Sequence, residues 1–414
     1  MTDGHRVVVT GLGPVSSVGI GSEDFWSALL AGTSGVSEVR SFDTAGYPST
    51  LGGEIHGFNP APYISSERLE RYGRASQLAI VAAALALDDA ALAAAEVAGR
   101  RSAVFMGTTM GECVVQERVV RDWAADPPRS PPGEEIRKMP DALLAMNVGR
   151  HLGLAARCAV FPTACAAGNY ALAHGFDEIR SGRADIVLAG GADAFSRMAF
   201  MGFARMLSLA PDCCRPFDLN RKGIVVGEGA GVLVLESLAA ARCRGAAVRA
   251  EMLGYGLSCD AHHMTIPHED GVKAVMASAL EHASVEPFRV SLVCAHGTGT
   301  RMNDLTEASA VHSLFGHVAG GVPVVSIKSM LGHTMGAASA LEAIACVLAL
   351  RDSVAPPTIN FATPDEECPV DCIPNQAREL ELDVVLNNSF AFGGNNATTV
   401  FTRGGLELGG SSYG

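Results

Sequence analysis

Hydrophobic and polar positions along this chain fall into two alternating textures. Short β-rich runs over residues 6–10, 103–106, 186–189, 231–236, 292–295 and 324–327 predict strands. Longer Ala-rich runs with helical spacing predict helices over 74–91, 168–181, 271–283, 304–314 and 336–351. Strands alternating with helices predict α/β layers, with helices packed on sheets. The segment 126–133, which holds Pro127, Pro128, Pro131 and Pro132, predicts a loop.

One pattern occurs twice. Arg6-Val7-Val8-Val9-Thr10-Gly11-Leu12-Gly13 is echoed by Arg249-Ala250-Glu251-Met252-Leu253-Gly254-Tyr255-Gly256, which predicts two halves of similar architecture. Cys165-Ala166-Ala167-Gly168 opens an apolar helix in the first half, and Gly332-His333-Thr334-Met335-Gly336 opens another in the second. Each places a reactive residue at a helix N-terminus, where unsatisfied backbone N–H groups favour negative charge.

Composition narrows the function classes. With 414 residues, 48% hydrophobic and 18% charged, the chain is able to bury a large core. Its 46 glycines and few aromatics suit tight helix-on-sheet packing. A formal net charge of −13 argues against a nucleic-acid partner, whose phosphates are met by Lys and Arg. The most apolar stretches, such as 78–87, fall short of the roughly 20 residues a bilayer requires, so no membrane association is expected. Eleven irregularly spaced cysteines, together with a strand-like start in place of a secretory leader, point to reduced thiols in the cytoplasm.

Four segments carry candidate chemistry. In Phe161-Pro162-Thr163-Ala164-Cys165, small neighbours leave room around a thiol, and the helix start favours its thiolate; taken alone, the segment reads as a buried structural cysteine. His296 ends a strand before the hydroxyl-rich turn Gly297-Thr298-Gly299-Thr300, where α/β proteins place functional groups, although a structural histidine fits the same pattern. Lys328 precedes the Gly-flanked His333, and Glu342 follows; burial would keep His333 neutral, with Lys328 and Glu342 balancing each other's charge, while a helix cap with a surface salt bridge is the plainer alternative. Asn387 to Asn396 holds Phe392-Gly393-Gly394, where the backbone is able to approach a ligand and complete an oxyanion hole, or simply turn a hairpin. Gly11-Leu12-Gly13 and Gly227-Glu228-Gly229 lack the full dinucleotide fingerprint. Cys213-Cys214 and His262-His263 are adjacent rather than spaced for zinc, so no metal site is expected.

In this order the four segments resemble the β-ketoacyl-acyl-carrier-protein synthases, and in particular the type II fatty-acid and polyketide ketosynthases. Arg215-Pro216-Phe217-Asp218, Gly227 to Gly231, Ser258 to Thr265 and Pro356 to Asn360 extend the resemblance over nearly the whole chain. It implies a thiolase fold, with five layers α-β-α-β-α and two pseudo-duplicated halves, taken here as 1–250 with Cys165 and 251–414 with His296 and His333. The implied activity is decarboxylative condensation of a malonyl unit with an acyl group held on Cys165. His296 and His333 would stabilise the enolate, Lys328 and Glu342 would organise them, and the N–H groups of Cys165 and Phe392 would form the oxyanion hole. By the same resemblance Phe392 is a gate, Thr298 and Thr300 contact pantetheine, Met110 and Phe203 line the acyl pocket, and Arg68, Arg71 and Arg205 dock an acyl carrier protein. No cofactor beyond the carrier's phosphopantetheine is implied, and the partner subunit is either a second copy or a homologous chain-length subunit.

The sequence departs from the usual elongating pattern at Ala391 and Asn395 beside the gate, at Glu67 and Glu70 among the docking arginines, and at Met110, Glu112 and the 126–133 insertion. The first bear on gate mobility and chain preference and the second on carrier choice, while Met110, Glu112 and the insertion tilt the expectation toward specialised polyketide or polyene assembly. A partner subunit without turnover and housekeeping fatty-acid elongation are the alternatives.

Overall fold

Strand pairing obeys one rule in both halves of the chain. A computed structural model describes residues 6–125, 133–316 and 321–404, and most of the 126–133 loop lies outside them. Five strands of the first half are β1 (Val7–Ser16), β2 (Ser102–Gly107), β3 (Arg157–Phe161), β4 (Ile186–Asp193) and β5 (Gly229–Ser237). Five of the second are β6 (Ala250–Cys259), β7 (Val290–Cys294), β8 (Val324–Val325), β9 (Val384–Phe390) and β10 (Asn395–Arg403). The spatial order β3-β2-β4-β5-β1 is repeated as β8-β7-β9-β10-β6. Directions repeat as well: the second strand of each half is parallel to the third and fourth, while the fifth is antiparallel to the fourth and first. The two sheets join where Val7, Val8 and Val9 pair antiparallel with Met252, Glu251 and Ala250.

Helices fill the layers between and outside the sheets. Helix α1 (Arg74–Asp89) covers the outer face of the first sheet. Helix α2 (Ala167–Arg180) and helix α5 (Ala338–Asp352) each touch strands of both sheets, and so form the central layer. Helix α3 (Glu269–Ala283) covers the outer face of the second sheet, with α4 (Arg301–Phe315) packed beside it. This is the expected five-layer arrangement. Every residue of α5 from Ala338 to Leu350 is buried, as a helix apolar all round must be when sheets flank it on two sides.

The sequence echo has a packing cause. A Cβ on Gly11 or Gly13 would meet backbone atoms of Ala86 or Ala82 on α1 at 2.1 and 1.9 Å, and one on Gly256 would meet the Val275 carbonyl on α3 at 2.2 Å. Each half therefore keeps glycines on its first strand, where a helix rides directly on the backbone.

Most predicted elements lie within a few residues of the observed ones; helices such as Ser22–Leu30, Cys113–Ala125 and Leu143–His151 were not predicted, and the strands show two differences. The 324–327 run yields only a two-residue strand, because the Ser326 N–H leaves the ladder for Thr358 Oγ1 (2.9 Å) and a helical turn begins at Lys328. Strands β3, β6, β9 and β10 were not predicted as strands. In β9, Asn387, Asn388 and Ser389 interrupt the apolar pattern, yet all three are buried and hydrogen-bonded.

Candidate active site

The third strand of each half leads into the same local structure. After β3 the chain turns at Ala164, with φ 52°, through a 3-10 turn Ala164–Ala166 into α2. After β8 and the Lys328–Leu331 turn it passes His333 and turns at Met335, with φ 54°, through a 3-10 turn Met335–Ala337 into α5. Because α2 and α5 share the central layer, the two turns face each other.

This arrangement brings Cys165, His296 and His333 together from three distant segments. Their ligand atoms all lie within 4.8 Å of one another. His333 Nε2 is 3.1 Å from Cys165 Sγ. The imidazole rings of His296 and His333 stand 5.5 Å apart at 82°. Backbone bonds fix His333 on both sides: its N–H donates to the Val225 carbonyl (2.6 Å), and its carbonyl accepts from Gly227 N–H (2.9 Å). His296 is held by Glu307 of α4, which accepts from the N–H groups of His296 (2.9 Å) and Gly297 (2.8 Å).

Burial sets the protonation states. It pushes the Cys165 thiol up to about 12, although the Lys328 charge pulls the other way. The expectation of a thiolate stabilised by the helix start is thus corrected: desolvation of a nearly enclosed sulfur outweighs the backbone dipoles, and the resting group is a thiol. Burial and the nearby Lys328 hold His333 well below the usual imidazole range, and the same two causes with His333 added act on His296. Both rings are therefore neutral at pH 7. Met335 N–H donates to His333 Nδ1 (3.2 Å), which leaves the proton on Nε2 and makes that atom a donor. A metal ion would require the opposite tautomer, so this ring is arranged for hydrogen-bond donation rather than ligation.

Behind the rings, Lys328 Nζ contacts Glu342 Oε1 directly, both side chains being almost fully buried. Burial works against the ammonium, but Glu342 outweighs it and keeps Lys328 above its ordinary range. On the other side lies the β9–β10 turn. The N–H groups of Ala391, Gly393 and Gly394 donate to the carbonyls of Asn395, Met264 and Ala391. Phe392 N–H, like that of Cys165, donates to no backbone carbonyl among the described residues. Ser389 Oγ donates to the Cys165 carbonyl (2.8 Å).

A cavity of about 610 Å³ opens onto the three catalytic candidates. Phe203, Thr298, Thr300 and Phe392 line it, and Thr298 Oγ1 lies 2.9 Å from Thr300 Oγ1. The Phe203 and Phe392 rings are 5.9 Å apart. Met110 is not in the cavity lining, but it packs, as Phe203 does, against the buried cluster that holds Phe195, Phe200 and Met335. Exposed Arg205 ends a helix (Arg197–Arg205) directly before Met206 and Leu207 on the cavity rim. Arg68 and Arg71 are exposed and away from the cavity lining, with Arg71 paired to Glu67 at 3.3 Å.

Sequence reasoning missed Glu307, Ser389 and Asp193. Asp193 ends β4 fully buried, and its sole sequence signal is an acid closing a small, apolar strand.

The family model for the β-ketoacyl synthase N-terminal domain matches residues 4–241, and that for the C-terminal domain matches 249–362. A curated protein from Synechocystis sp., 3-oxoacyl-[acyl-carrier-protein] synthase 2, is 38% identical over 96% of this chain and 98% of its own. The solved structure of the ishigamide ketosynthase/chain length factor superposes with a TM-score of 0.93 at 44% identity, covering 96% of this chain and 99% of that one. A type II polyketide-synthase acyl-carrier protein in complex with its ketosynthase bound to the hexaketide gives 0.89 at 33% identity, over 96% and 99%.

Proposed function

The chain belongs to the β-ketoacyl synthase family, and from that premise we propose that it joins an acyl group held on Cys165 to a decarboxylated malonyl unit delivered by an acyl carrier protein. It is an acyltransferase of fatty-acid or polyketide assembly. The 44% identity to a ketosynthase/chain length factor supports the polyketide branch.

The observation that carries the residue assignments is the meeting of one buried thiol with two neutral imidazoles on a single cavity, beside two N–H groups that donate to no backbone carbonyl among the described residues. In the first half-reaction Cys165 attacks the acyl thioester, and its proton ends on the departing pantetheine thiol. The N–H groups of Cys165 and Phe392 receive the oxyanion of the tetrahedral intermediate. In the second, the malonyl carboxylate leaves as carbon dioxide. His333 Nε2–H and His296 donate to the thioester oxygen as it becomes an enolate. The enolate carbon attacks the acyl-Cys165 carbonyl, and the expelled thiolate takes one proton from solvent. Burial, with the Lys328 charge adding to it, holds both rings neutral, since a cation beside an imidazole disfavours a second positive charge, and Glu342 balances Lys328.

The reading assigns the nucleophile to the half 1–250 and the donors to the half 251–414. The pantetheine arm passes Thr298 and Thr300, Phe392 gates the acyl side toward Phe203 and Met110, and Arg68, Arg71 and Arg205 meet the carrier protein. The functional unit is a dimer, with a second copy or a homologous chain-length subunit. The cytoplasm is the proposed location, which eleven free cysteines support, as does the lack, among the described residues, of a helix long and apolar enough to cross a membrane.

Intact-protein mass spectrometry with a panel of acyl-carrier thioesters tests the assignment. A Cys165 adduct that disappears as malonyl-carrier protein is added and a β-ketoacyl product forms is the expected result. Folded protein that accepts no acyl donor, alone or with a chain-length subunit, would reject it.

A further inference from the structure

We propose that Asp193 is a positioning residue that holds His333 in its donating tautomer and ties it to the loop carrying Met110. The proposal rests on the reading of His333 as an enolate donor.

One buried carboxylate gathers four donors from two separate segments. Oδ1 accepts from Thr108 Oγ1 (2.7 Å) and Met110 N–H (2.9 Å). Oδ2 accepts from Thr109 N–H (2.8 Å) and Gly336 N–H (2.7 Å). The first three lie on the loop after β2, whose Met110 side chain packs into the aromatic cluster with Phe195 and Phe200. The fourth lies in the 3-10 turn that follows His333.

Gly336 N–H belongs to the peptide that follows Met335, the residue whose own N–H donates to His333 Nδ1. Met335 has φ 54°, which a side-chain-bearing residue keeps only when its surroundings impose it. Asp193 supplies that constraint on one side of Met335, and His333 Nδ1 supplies it on the other. There is little room for the turn to relax elsewhere: a Cβ on Gly336 would lie 2.6 Å from Thr108, and one on Gly191 would lie 2.2 Å from the Gly336 carbonyl. Burial raises Asp193 to about 6 against its four donors, so at neutral pH it is ionised and offers acceptors alone.

Asp193→Asn keeps the shape and removes that property. Each carboxylate oxygen accepts from at least one backbone N–H, Met110 on Oδ1 and Thr109 and Gly336 on Oδ2, and a backbone N–H cannot reverse its direction. Whichever way the amide is turned, its NH₂ faces at least one backbone N–H that it cannot accept from.

The test begins with the unaltered protein. The ¹⁵N resonances of His333, assigned by their loss in His333→Gln, should show a hydrogen on Nε2 and an accepting Nδ1; the opposite tautomer overturns the proposal. In D193N, with folding checked by thermal melting, those resonances should shift toward mixed tautomers. Malonyl-carrier decarboxylation should fall by roughly a hundredfold, the scale on which losing an aligned proton donor costs an enzyme. Acyl loading of Cys165 should persist, with an altered chain-length preference because the Met110 loop shares the clamp. A folded D193N with unchanged His333 resonances and decarboxylation refutes the role. If His333→Gln itself decarboxylates normally, the failure lies in the reading of His333 instead. Should D193N not fold, Thr108→Val removes one donor and should give smaller shifts in both the His333 resonances and chain-length preference; no shift in either refutes the clamp.

Discussion

The turn that carries Cys165 and the turn that follows His333 are nearly the same object built twice. Both follow the third strand of their half, start with a residue at φ 52° or 54°, form one 3-10 turn and enter a central-layer helix. The middle residue is Cys165 in one and Gly336 in the other. Each turn is held by the fourth strand of the opposite half: Ser389 of β9 donates to the Cys165 carbonyl, while Asp193 of β4 accepts from Gly336 N–H. The difference between these two bonds separates site from scaffold. At Cys165 the carbonyl is engaged, and its N–H donates to no backbone carbonyl among the described residues; at Gly336 the N–H is engaged, and a side chain there would also collide with Thr108.

The comparison is broken most completely by Cys165→Ala. Acyl adducts should vanish in intact-mass spectra, while some malonyl decarboxylation persists because the histidines remain; equal loading by the variant removes the distinction between the turns. Next in size is His333→Ala, for which decarboxylation should drop by about 10² to 10⁴-fold, as for loss of a positioned proton donor. Acyl transfer should drop less, and unchanged carbon dioxide release would sink the assignment. Gly336→Ala tests the scaffold turn and should lower unfolding free energy by about 1–3 kcal/mol, as overpacking does. A denaturation midpoint equal to the parent's would show that the turn has room for a methyl group and would reject the steric account. Ser389→Ala, the mildest change, should cost about 1 kcal/mol for one lost hydrogen bond. It should leave decarboxylation intact, and a loss there as large as that of His333→Ala would contradict a purely supporting role.

Some of this was legible along the chain and some was not. The paired glycines at Gly11, Gly13, Gly254 and Gly256 marked the duplication, because a helix lying on a first strand excludes side chains at fixed spacing. Helices α1 to α5 followed from Ala-rich periodicity, while β9 was hidden because its buried Asn387, Asn388 and Ser389 read as polar loop. Cys165, His296, His333, Lys328 and Glu342 lie in Gly- and Ala-rich segments that singly fit structural roles, and only the order of the four segments, through the family resemblance, named them as a set. By itself, then, the sequence determined the alternation of strands with helices and the repeat, since strand alternation, helical period and backbone clearance are local properties. The tertiary structure alone decided that Asp193 would reach Gly336 across 143 residues and that Cys165 would rest as a thiol. Such contacts exist only once the two sheets have stacked, and desolvation, unlike a helix start, is a property of everything packed around a group rather than of its neighbours in the chain.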